Sequence, residues 1–284
     1  MNINKYLKEF NEKGFCIIKN ALPNEYINCV LNKLEELNVK LNRSKNKKNT
    51  FGLNIRPIIN QDDIFLNLID LNKTFPIVVK ILNHYNIQLL QSHLIVVPPN
   101  KNYRAIGWHS DGGINRIKVN GLCALTSVKI GYFFSNHLQN DTGSLMVVPG
   151  SHKMVDGPVF KNSKEGKTAE VIKAGYDENP FGSEELKVKA GDAIIFHQGL
   201  FHASANNFSD FNRVAIYYCY GYRTLRPIDY TNFSKEYLKN CNSIRKQLLG
   251  HKKTHLGYHL PTDEDVPLKK WFLKEFGESW NENY

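Results

Sequence analysis

The most informative stretch of this chain is Gly107-Trp108-His109-Ser110-Asp111-Gly112-Gly113. Its glycine content argues against a helix, and side chains two residues apart on an extended segment point to the same side. The imidazole of His109 and the carboxylate of Asp111 are therefore placed to bind one metal ion together. A bare His-x-Asp tripeptide is more often a pair of surface polar residues, so this interpretation requires a third ligand from elsewhere in the chain.

The composition is that of an ordinary globular protein. The chain has 284 residues, of which 42% are hydrophobic and 12% aromatic, and this length is compatible with one large β-barrel domain. No run approaches the roughly 18 apolar residues of a membrane span. Residues 1–5 lack the charged-then-apolar pattern of a signal peptide, and the five cysteines show no C-x-x-C spacing. We therefore expect reduced thiols and a cytoplasmic protein.

The basic charge of the chain does not by itself indicate a partner. The net charge is +10, which is compatible with anionic ligands. The one dense basic cluster, residues 43–49, lies in a polar stretch and is predicted to be a solvated loop. Since no nucleic-acid motif is present, we expect no nucleic-acid partner and no membrane partner.

Apolar periodicity divides the chain into helical ends and a β-rich middle. Spacing near 3.6 predicts helices over 4–13, 22–41, 62–71, 75–83, 234–248 and 266–276. Apolar runs bounded by turns predict strands over 15–18, 87–97, 124–134, 186–192 (with its turn), 193–196 and 214–220. Residues 153–185 are predicted to form a loop, a candidate lid. We expect one domain over 1–284, with helical support in 1–85, a mainly β core in 86–222 and a helical and loop extension in 223–284.

The candidate third ligand is His202, near the end of the β-rich region. With His109 and Asp111 it would complete the two-histidine, one-carboxylate set of non-haem Fe(II) oxygenases, which leaves positions open for a co-substrate and oxygen. Arg213 follows His202 by 11 residues, at the start of the next strand. A guanidinium binds a carboxylate through two parallel hydrogen bonds, which suits the distal carboxylate of 2-oxoglutarate, and Ser204 adds a hydroxyl beside it.

Four ordered blocks carry a resemblance to a known family. They are GWHSD at 107–111, GSLMVVPGSH at 143–152, GDAIIF at 191–196, and HAS at 202–204 continuing through Asn206 to Arg213. Over about residues 85–222 the chain resembles the phytanoyl-CoA dioxygenase family of Fe(II)- and 2-oxoglutarate-dependent oxygenases. The resemblance implies a double-stranded β-helix (jelly-roll, cupin-like) core with iron at one mouth of the barrel.

The resemblance also implies the roles of individual residues. His109, Asp111 and His202 match the family's metal ligands. Arg213 and Ser204 match the clamp for the 5-carboxylate of 2-oxoglutarate.

Three further residues match the co-substrate pocket less closely. The family has a basic residue upstream of the barrel that contacts the co-substrate, and Arg56 occupies a similar position as Arg where other members have Lys. His93 falls on a strand position that lines this pocket in relatives. Lys129 lies where relatives often carry an aromatic residue, and a buried Lys needs a carboxylate partner, so its role stays open.

Other candidates are weaker. His197 precedes His202 by five residues and is the rival third ligand, but the family pattern of Ser two residues on and Arg 11 residues on favours His202. We expect His152 to be structural. The remaining histidines do not belong to any group of candidate site residues. We expect them on the surface or in packing: His84, His137, His251, His255 and His259. Trp108 either lines the pocket or only packs, and the sequence does not separate these alternatives.

The expected reaction is oxidation, with hydroxylation as the default, of a C–H bond in a small organic substrate, in the manner of secondary metabolism. Oxygen is consumed, and succinate and carbon dioxide are released. Asp111 argues against halogenation, because halogenating relatives have lost this carboxylate. Desaturation, cyclisation or epoxidation by the same cofactors remains an alternative. So does a non-catalytic jelly-roll binding protein, although such a protein would be free to lose one of His109, Asp111, His202 or Arg213.

The substrate itself is not predicted. Three basic residues near the expected entrance, Arg104, Arg116 and Lys118, favour an anionic substrate, although exposed loop charges are more often plain solvated surface. The oligomeric state is not predicted either.

Overall fold

A computed structural model describes residues 2–41, 52–100, 106–111, 117–155, 157–158, 179–230 and 233–277. Its α-helices are α1 (Ile3–Lys13), α2 (Asn24–Lys40), α3 (Phe75–Leu82), α4 (Lys235–Lys239), α5 (Ser243–Leu248) and α6 (Leu268–Phe276). Its strands are β1 (Phe15–Ile18), β2 (Leu53–Ile55), β3 (Ile87–Val97), β4 (Lys118–Val119), β5 (Leu122–Cys123), β6 (Ser127–Phe133), β7 (Leu145–Val147), β8 (Glu184–Glu185), β9 (Ala193–His197), β10 (His202–Ser204) and β11 (Arg213–Tyr222). Short 3-10 turns occupy Ile58–Asn60, Asp63–Leu68 and Ser151–Lys153.

The strands form two main antiparallel sheets and a hairpin. The large sheet has the order β1-β9-β6-β11-β3-β2, the small sheet has the order β10-β7-β8, and β4 pairs with β5. Strands from the N-terminal region close both edges of the large sheet, because β1 pairs with β9 and β2 pairs with β3. This confirms the mainly β, jelly-roll fold class with flanking helices.

The alternation of side chains along β6 and β11 creates two different environments. Val128, Ile130 and Tyr132 of β6 face outward and join the core cluster that contains residues of the flanking helices, such as Phe10 and Phe75. A second cluster on the inner face packs the large sheet against the small sheet. Its buried residues are Phe15, Ile95, Phe133, Leu145, Val147, Leu186, Val188, Ile194, Phe196, Leu200, Ala215 and Tyr217.

Tyrosine hydroxyl groups hold the irregular segment 58–69 against the outer face of the large sheet. Tyr218 donates to the carbonyl of Phe65 at 2.7 Å, and Tyr220 donates to the carbonyl of Ile69 at 2.6 Å. Tyr26, Tyr132 and Tyr237 reach other carbonyls of this segment in the same way. The segment has no regular strand or α-helix to satisfy its carbonyls, so the hydroxyls supply the missing donors.

Three secondary-structure predictions are wrong in detail. Residues 186–192 are predicted as a strand, but β8 ends at Glu185. Beyond it, the amide of Leu186 donates to the carbonyl of Leu145, and Val188 forms an isolated bridge with His137. The predicted helix over 62–71 is a 3-10 turn, Asp63–Leu68, whose carbonyls are taken by tyrosine hydroxyls. The predicted helix over 234–248 is two short helices, because Asn242 caps the start of α5 by accepting from the amide of Arg245.

Several predictions fall on residues outside the described part. These are the basic loop at 43–49, the residues Arg104 and Arg116, and most of the candidate lid, at 156 and 159–178. Among the described residues, no helix is both long enough and apolar enough to cross a membrane.

Replacement of Tyr218 by Phe tests the tyrosine contacts. Tyr218→Phe leaves the buried carbonyl of Phe65 without this donor, so the free energy of unfolding is expected to fall by about 1–3 kcal/mol. The measurement is urea unfolding followed by circular dichroism. Tyr6→Phe is the matched control, since the Tyr6 hydroxyl makes no hydrogen bond to the residues that the structure describes, and its variant is expected to unfold like the wild type. Equal midpoints for Tyr218→Phe and the wild type would contradict this role.

Candidate metal centre

A backbone bridge brings His109 and His202 together. The amide of His109 donates to the carbonyl of His202 at 2.9 Å, and the amide of His202 donates to the carbonyl of His109 at 2.8 Å. The two rings lie side by side, with centroids 4.3 Å apart. The amide of Asp111 donates to the carbonyl of Gln198 at 2.9 Å, which fixes the next turn of the loop. One ligand atom from each of His109, Asp111 and His202 lies within 4.8 Å of the others.

Both imidazoles are oriented by their own loops. Nδ1 of His109 lies 2.9 Å from the carbonyl of Gly107, and Nδ1 of His202 lies 2.8 Å from the carbonyl of Leu200. Because a carbonyl only accepts, Nδ1 carries the proton in each ring, and the lone pair is on Nε2. Burial, and then the neighbouring His109, lower the pKa of His202 to about 3, so that its ring is neutral at ordinary pH. Metal-binding imidazoles typically donate their second ring N–H to a carbonyl or carboxylate in this way, which fixes the orientation of the ring.

Asp111 lies in a buried ion pair with Lys129. Lys129 Nζ is 2.8 Å from both carboxylate oxygens of Asp111. Burial opposes ionisation of Asp111, but the Lys129 ammonium, followed by the two imidazoles, holds the pKa of this carboxyl below its ordinary value. Burial likewise opposes the charge on Lys129, while Asp111 raises its pKa. The carboxylate partner that a buried Lys requires is therefore Asp111.

Arg213 lines the same cavity and carries a buried positive charge. It is 1% exposed, and within the described part of the chain no carboxylate lies within ion-pair distance. Nη2 donates to the hydroxyl of Tyr217, whereas Nε and Nη1 have no hydrogen-bond partner among the described residues. An unpaired buried charge is costly. Two free, buried guanidinium nitrogens therefore fit a carboxylate ligand.

Two glycines make room for this arginine. A Cβ atom on Gly131 of β6 would lie 2.5 Å from Cε1 of Tyr217, so the ring that supports Arg213 fits only over a glycine. Gly143 has φ +83°, and a Cβ there would lie 3.0 Å from Cβ of Arg213. Any larger residue at either position would press on the guanidinium or on its support.

The predicted site residues all line one cavity of about 230 Å³. They are His109, Asp111, His202, Ser204, Arg213, Arg56, His93 and Lys129. Ser204 lies two residues beyond His202 on β10, on the same side of the strand. His93 is buried, its Nε2 lies 2.7 Å from Oδ1 of Asn54, and burial, followed by the charge of Arg56, lowers the pKa of His93 to about 3. Arg56 lies at the exposed rim.

Several residues of this cavity are not predicted from the sequence. Tyr217, Gln91 and Phe196 line it, and Asn54 supports His93. Tyr217 was detectable in principle, because it follows Arg213 by four residues on β11 and so shares its face. No sequence signal marked Gln91 or Asn54, which enter only through the pairing of β3 with β11 and β2.

The other histidines and Trp108 lie elsewhere. His197 follows Phe196 on β9 and points away from the cavity, where its ring lies 5.1 Å from that of His152. His137 is fully buried and contacts Ser135 and the carbonyl of Thr142, so it is a packing residue. Trp108 stacks on Phe201 with ring centroids 5.6 Å apart and does not line the cavity.

Comparisons with known proteins agree with this architecture. The phytanoyl-CoA dioxygenase (PhyH) family model matches residues 10–215. No curated protein matches the chain in sequence. Among solved structures, HygX from Streptomyces hygroscopicus with nickel and 2-oxoglutarate bound is 17% identical, with a TM-score of 0.61 over 78% of this chain and 88% of that chain.

Two further structures share the fold. The epimerase SnoN, in complex with Fe3+, alpha ketoglutarate and nogalamycin RO, is 15% identical, with a TM-score of 0.58 over 79% of this chain and 86% of that chain. EctD from S. alaskensis with bound Fe is 18% identical, with a TM-score of 0.58 over 79% of this chain and 78% of that chain. The match to the family model covers well over half of the 284 residues. The chain therefore belongs to the phytanoyl-CoA dioxygenase family of Fe(II)- and 2-oxoglutarate-dependent oxygenases, and it is an oxidoreductase.

Proposed function

We propose that this protein hydroxylates a C–H bond of a small organic substrate, using Fe(II), 2-oxoglutarate and O2 and releasing succinate and carbon dioxide. The observation that carries the proposal is the pairing, in one cavity, of a metal-ligand set with a buried and unpaired guanidinium. A metal site alone would suit many enzymes. The free Nε and Nη1 of Arg213 add a requirement for an anionic co-substrate, which 2-oxoglutarate meets.

In this proposal each side chain has a physical role. His109, Asp111 and His202 would hold Fe(II), and this ligand set leaves coordination positions for the co-substrate and oxygen. Arg213 and Ser204 bind the 5-carboxylate of 2-oxoglutarate, and the Tyr217 hydroxyl keeps the guanidinium in place. The bound metal, with 2-oxoglutarate and O2, supplies the oxidising chemistry. Ile95, Ile106 and Leu145 line the cavity with apolar surface and exclude water from the substrate.

Two residues are proposed to contact the co-substrate or the substrate near the rim. His93 is held neutral by burial and is oriented by Asn54, so it offers a hydrogen bond without charge. Arg56 has no ion-pair partner among the described residues and lines the cavity from its exposed edge. An exposed arginine at the entrance, together with the exposed Lys118, supports an anionic small-molecule substrate.

The reaction type is proposed from the default chemistry of these cofactors. Solved structures with this fold include an epimerase and a carbocyclase from nogalamycin biosynthesis. The fold by itself therefore does not select hydroxylation over cyclisation or desaturation.

We also infer that residues 1–284 form one domain. One buried core cluster unites Phe10 of α1, Ile77 of α3, Tyr218 of β11 and Phe272 of α6. The C-terminal region is tied to the sheet by Gln247, which donates to the carbonyl of Tyr85 at 2.7 Å and accepts from the amide of Leu268 at 3.0 Å.

Anaerobic titration tests the cofactor assignment. Fe(II) followed by 2-oxoglutarate is expected to produce a weak visible metal-to-ligand charge-transfer band in the wild type, because both must bind side by side. Asp111→Ala removes one ligand and is expected to abolish the band. Folded, iron-loaded wild-type protein that shows no band would exclude the oxygenase function and favour a non-catalytic binding protein.

Arg213→Met is expected to weaken 2-oxoglutarate binding by about thirtyfold or more, since loss of a buried charge partner costs at least about 2 kcal/mol. The measurement is the 2-oxoglutarate concentration that half-saturates the charge-transfer band at fixed Fe(II). The exposed Arg226, which does not line the cavity, provides the control Arg226→Met, whose half-saturation should match the wild type. Equal values for Arg213→Met and the wild type would show that the co-substrate binds elsewhere.

Gly131→Ala tests the support of Arg213 without removing a charge. The added methyl group displaces the Tyr217 ring, so the same half-saturation concentration is expected to rise by about tenfold, a loss of about 1.4 kcal/mol. Gly52→Ala is the control, because its Cβ meets nothing closer than 3.5 Å. If both variants bind 2-oxoglutarate equally well, the tight contact between Gly131 and Tyr217 does not position Arg213.

A further inference from the structure

The buried ion pair between Lys129 and Asp111 has no part in the function proposed so far. It involves one of the three candidate metal ligands, so it acts directly on the geometry of the metal centre. Asp111 Oδ1 accepts a hydrogen bond from Lys129 Nζ at 2.8 Å. Oδ2 also lies 2.8 Å from Nζ, so the ammonium contacts both oxygens of the carboxylate.

The sheet register places Lys129 for this contact. Lys129 is in the middle of β6, opposite Phe196 of β9 and Cys219 of β11, on the strand face that lines the cavity. Its side chain is 16% exposed, and its ammonium lies 5.9 Å from the centre of the Phe196 ring. In the described part of the chain, Asp111 is its one carboxylate partner within 4 Å. The Lys129 side chain is therefore mostly buried beside Phe196, and its ammonium points to the Asp111 carboxylate.

The ammonium and the imidazoles approach Asp111 from different parts of the fold. Lys129 belongs to the large sheet, whereas His202 belongs to the small sheet and is bridged to His109. The nearest approach of His109 to the carboxylate is 4.0 Å, between Nε2 and Oδ1. Asp111 thus lies between a fixed cation on one sheet and the two imidazole rings beside the other.

We propose that Lys129 is a positioning residue for the metal centre, which holds the Asp111 carboxylate turned towards the two imidazoles. This inference rests on the proposed function, because it presupposes a metal ion at His109, Asp111 and His202.

A rival role for Lys129 predicts the opposite change in metal affinity when Lys129 is replaced. If the ammonium were only a counter-charge for Asp111, it would compete with the metal for the carboxylate and repel a divalent cation. Its removal would then tighten metal binding. If Lys129 positions Asp111, removal frees the carboxylate to turn away, and hydrogen-bond partners of metal ligands typically contribute about 10- to 100-fold to metal affinity. The direction of the change therefore separates the two roles.

The experiment measures Co(II) affinity by calorimetry, without 2-oxoglutarate, in the full chain. Lys129→Met, which keeps the length of the stem without the charge, is expected to bind Co(II) about 10- to 100-fold more weakly than the wild type. Lys129→Arg keeps a donor and a charge and is expected to restore most of the loss. Unchanged or tighter binding by Lys129→Met, or an arginine variant as weak as the methionine variant, would overturn the proposal.

A second lysine–aspartate pair provides the matched control. Lys19 Nζ lies 2.9 Å from Oδ2 of the buried Asp192, and neither residue lines the cavity. Lys19→Met removes a lysine–aspartate ion pair away from the cavity and is expected to leave Co(II) affinity at the wild-type value. Thermal unfolding of all variants is measured in parallel, so that a loss of stability shared by Lys19→Met and Lys129→Met is not mistaken for an effect on the metal.

The structure of the Co(II)-loaded wild type provides a test that needs no variant to fold. The proposal requires Lys129 Nζ to remain within about 3.2 Å of an Asp111 oxygen when Asp111 binds the metal. A withdrawn ammonium would overturn it. Wild-type protein that binds no Co(II) would instead contradict the proposed function, whereas bound Co(II) with no effect of Lys129 would contradict only this inference.

Discussion

The central strands of the large sheet each have to satisfy two opposite environments, and the rest of the structure follows from that constraint. Because side chains alternate along a strand, β6 and β11 contribute apolar and tyrosine side chains to one core and charged side chains to the cavity. Val128 and Lys129 are neighbours in the chain and lie on opposite faces. The helices from both ends of the chain are needed on the outer face, since that face is otherwise a continuous apolar surface. The inner face is then free to carry the chemistry.

The cavity is lined by three positively charged side chains, Arg56, Lys129 and Arg213, and by the single carboxylate of Asp111 among the described residues. Arg213 is buried without a counter-ion among the described residues, and Lys129 is paired only with Asp111. Burial keeps His202 and His93 neutral, so that neither adds a further charge. Such a site is poorly satisfied by protein groups alone, and a dicarboxylate co-substrate supplies the missing negative charge. The electrostatics of the cavity therefore support the anionic co-substrate, and its ligand geometry supports the metal.

Much of the candidate site could be predicted because its signals are local in the sequence. His109 and Asp111 share one tripeptide, and Ser204 and Arg213 stand at short distances from His202. The role of Lys129 could not be predicted, because its partner Asp111 lies 18 residues earlier in the chain and meets it only when β6 enters the sheet. The 3-10 character of Asp63–Leu68 was missed for a similar reason. Its apolar spacing resembles a helix, but five tyrosine hydroxyls from distant elements take the carbonyls of this region.

The sequence by itself determined the family, the β-rich core with helical ends, and eight of the residues that line the cavity. These depend on periodicity and on short ordered motifs, which are properties of neighbouring residues. Only the tertiary structure decided which charges meet. It paired Lys129 with Asp111 and turned His197 away from the candidate metal site. It also placed Arg213 beside Tyr217, with two guanidinium nitrogens that have no partner among the described residues. Strand register sets these contacts, and a shift of one residue would send each side chain to the other face.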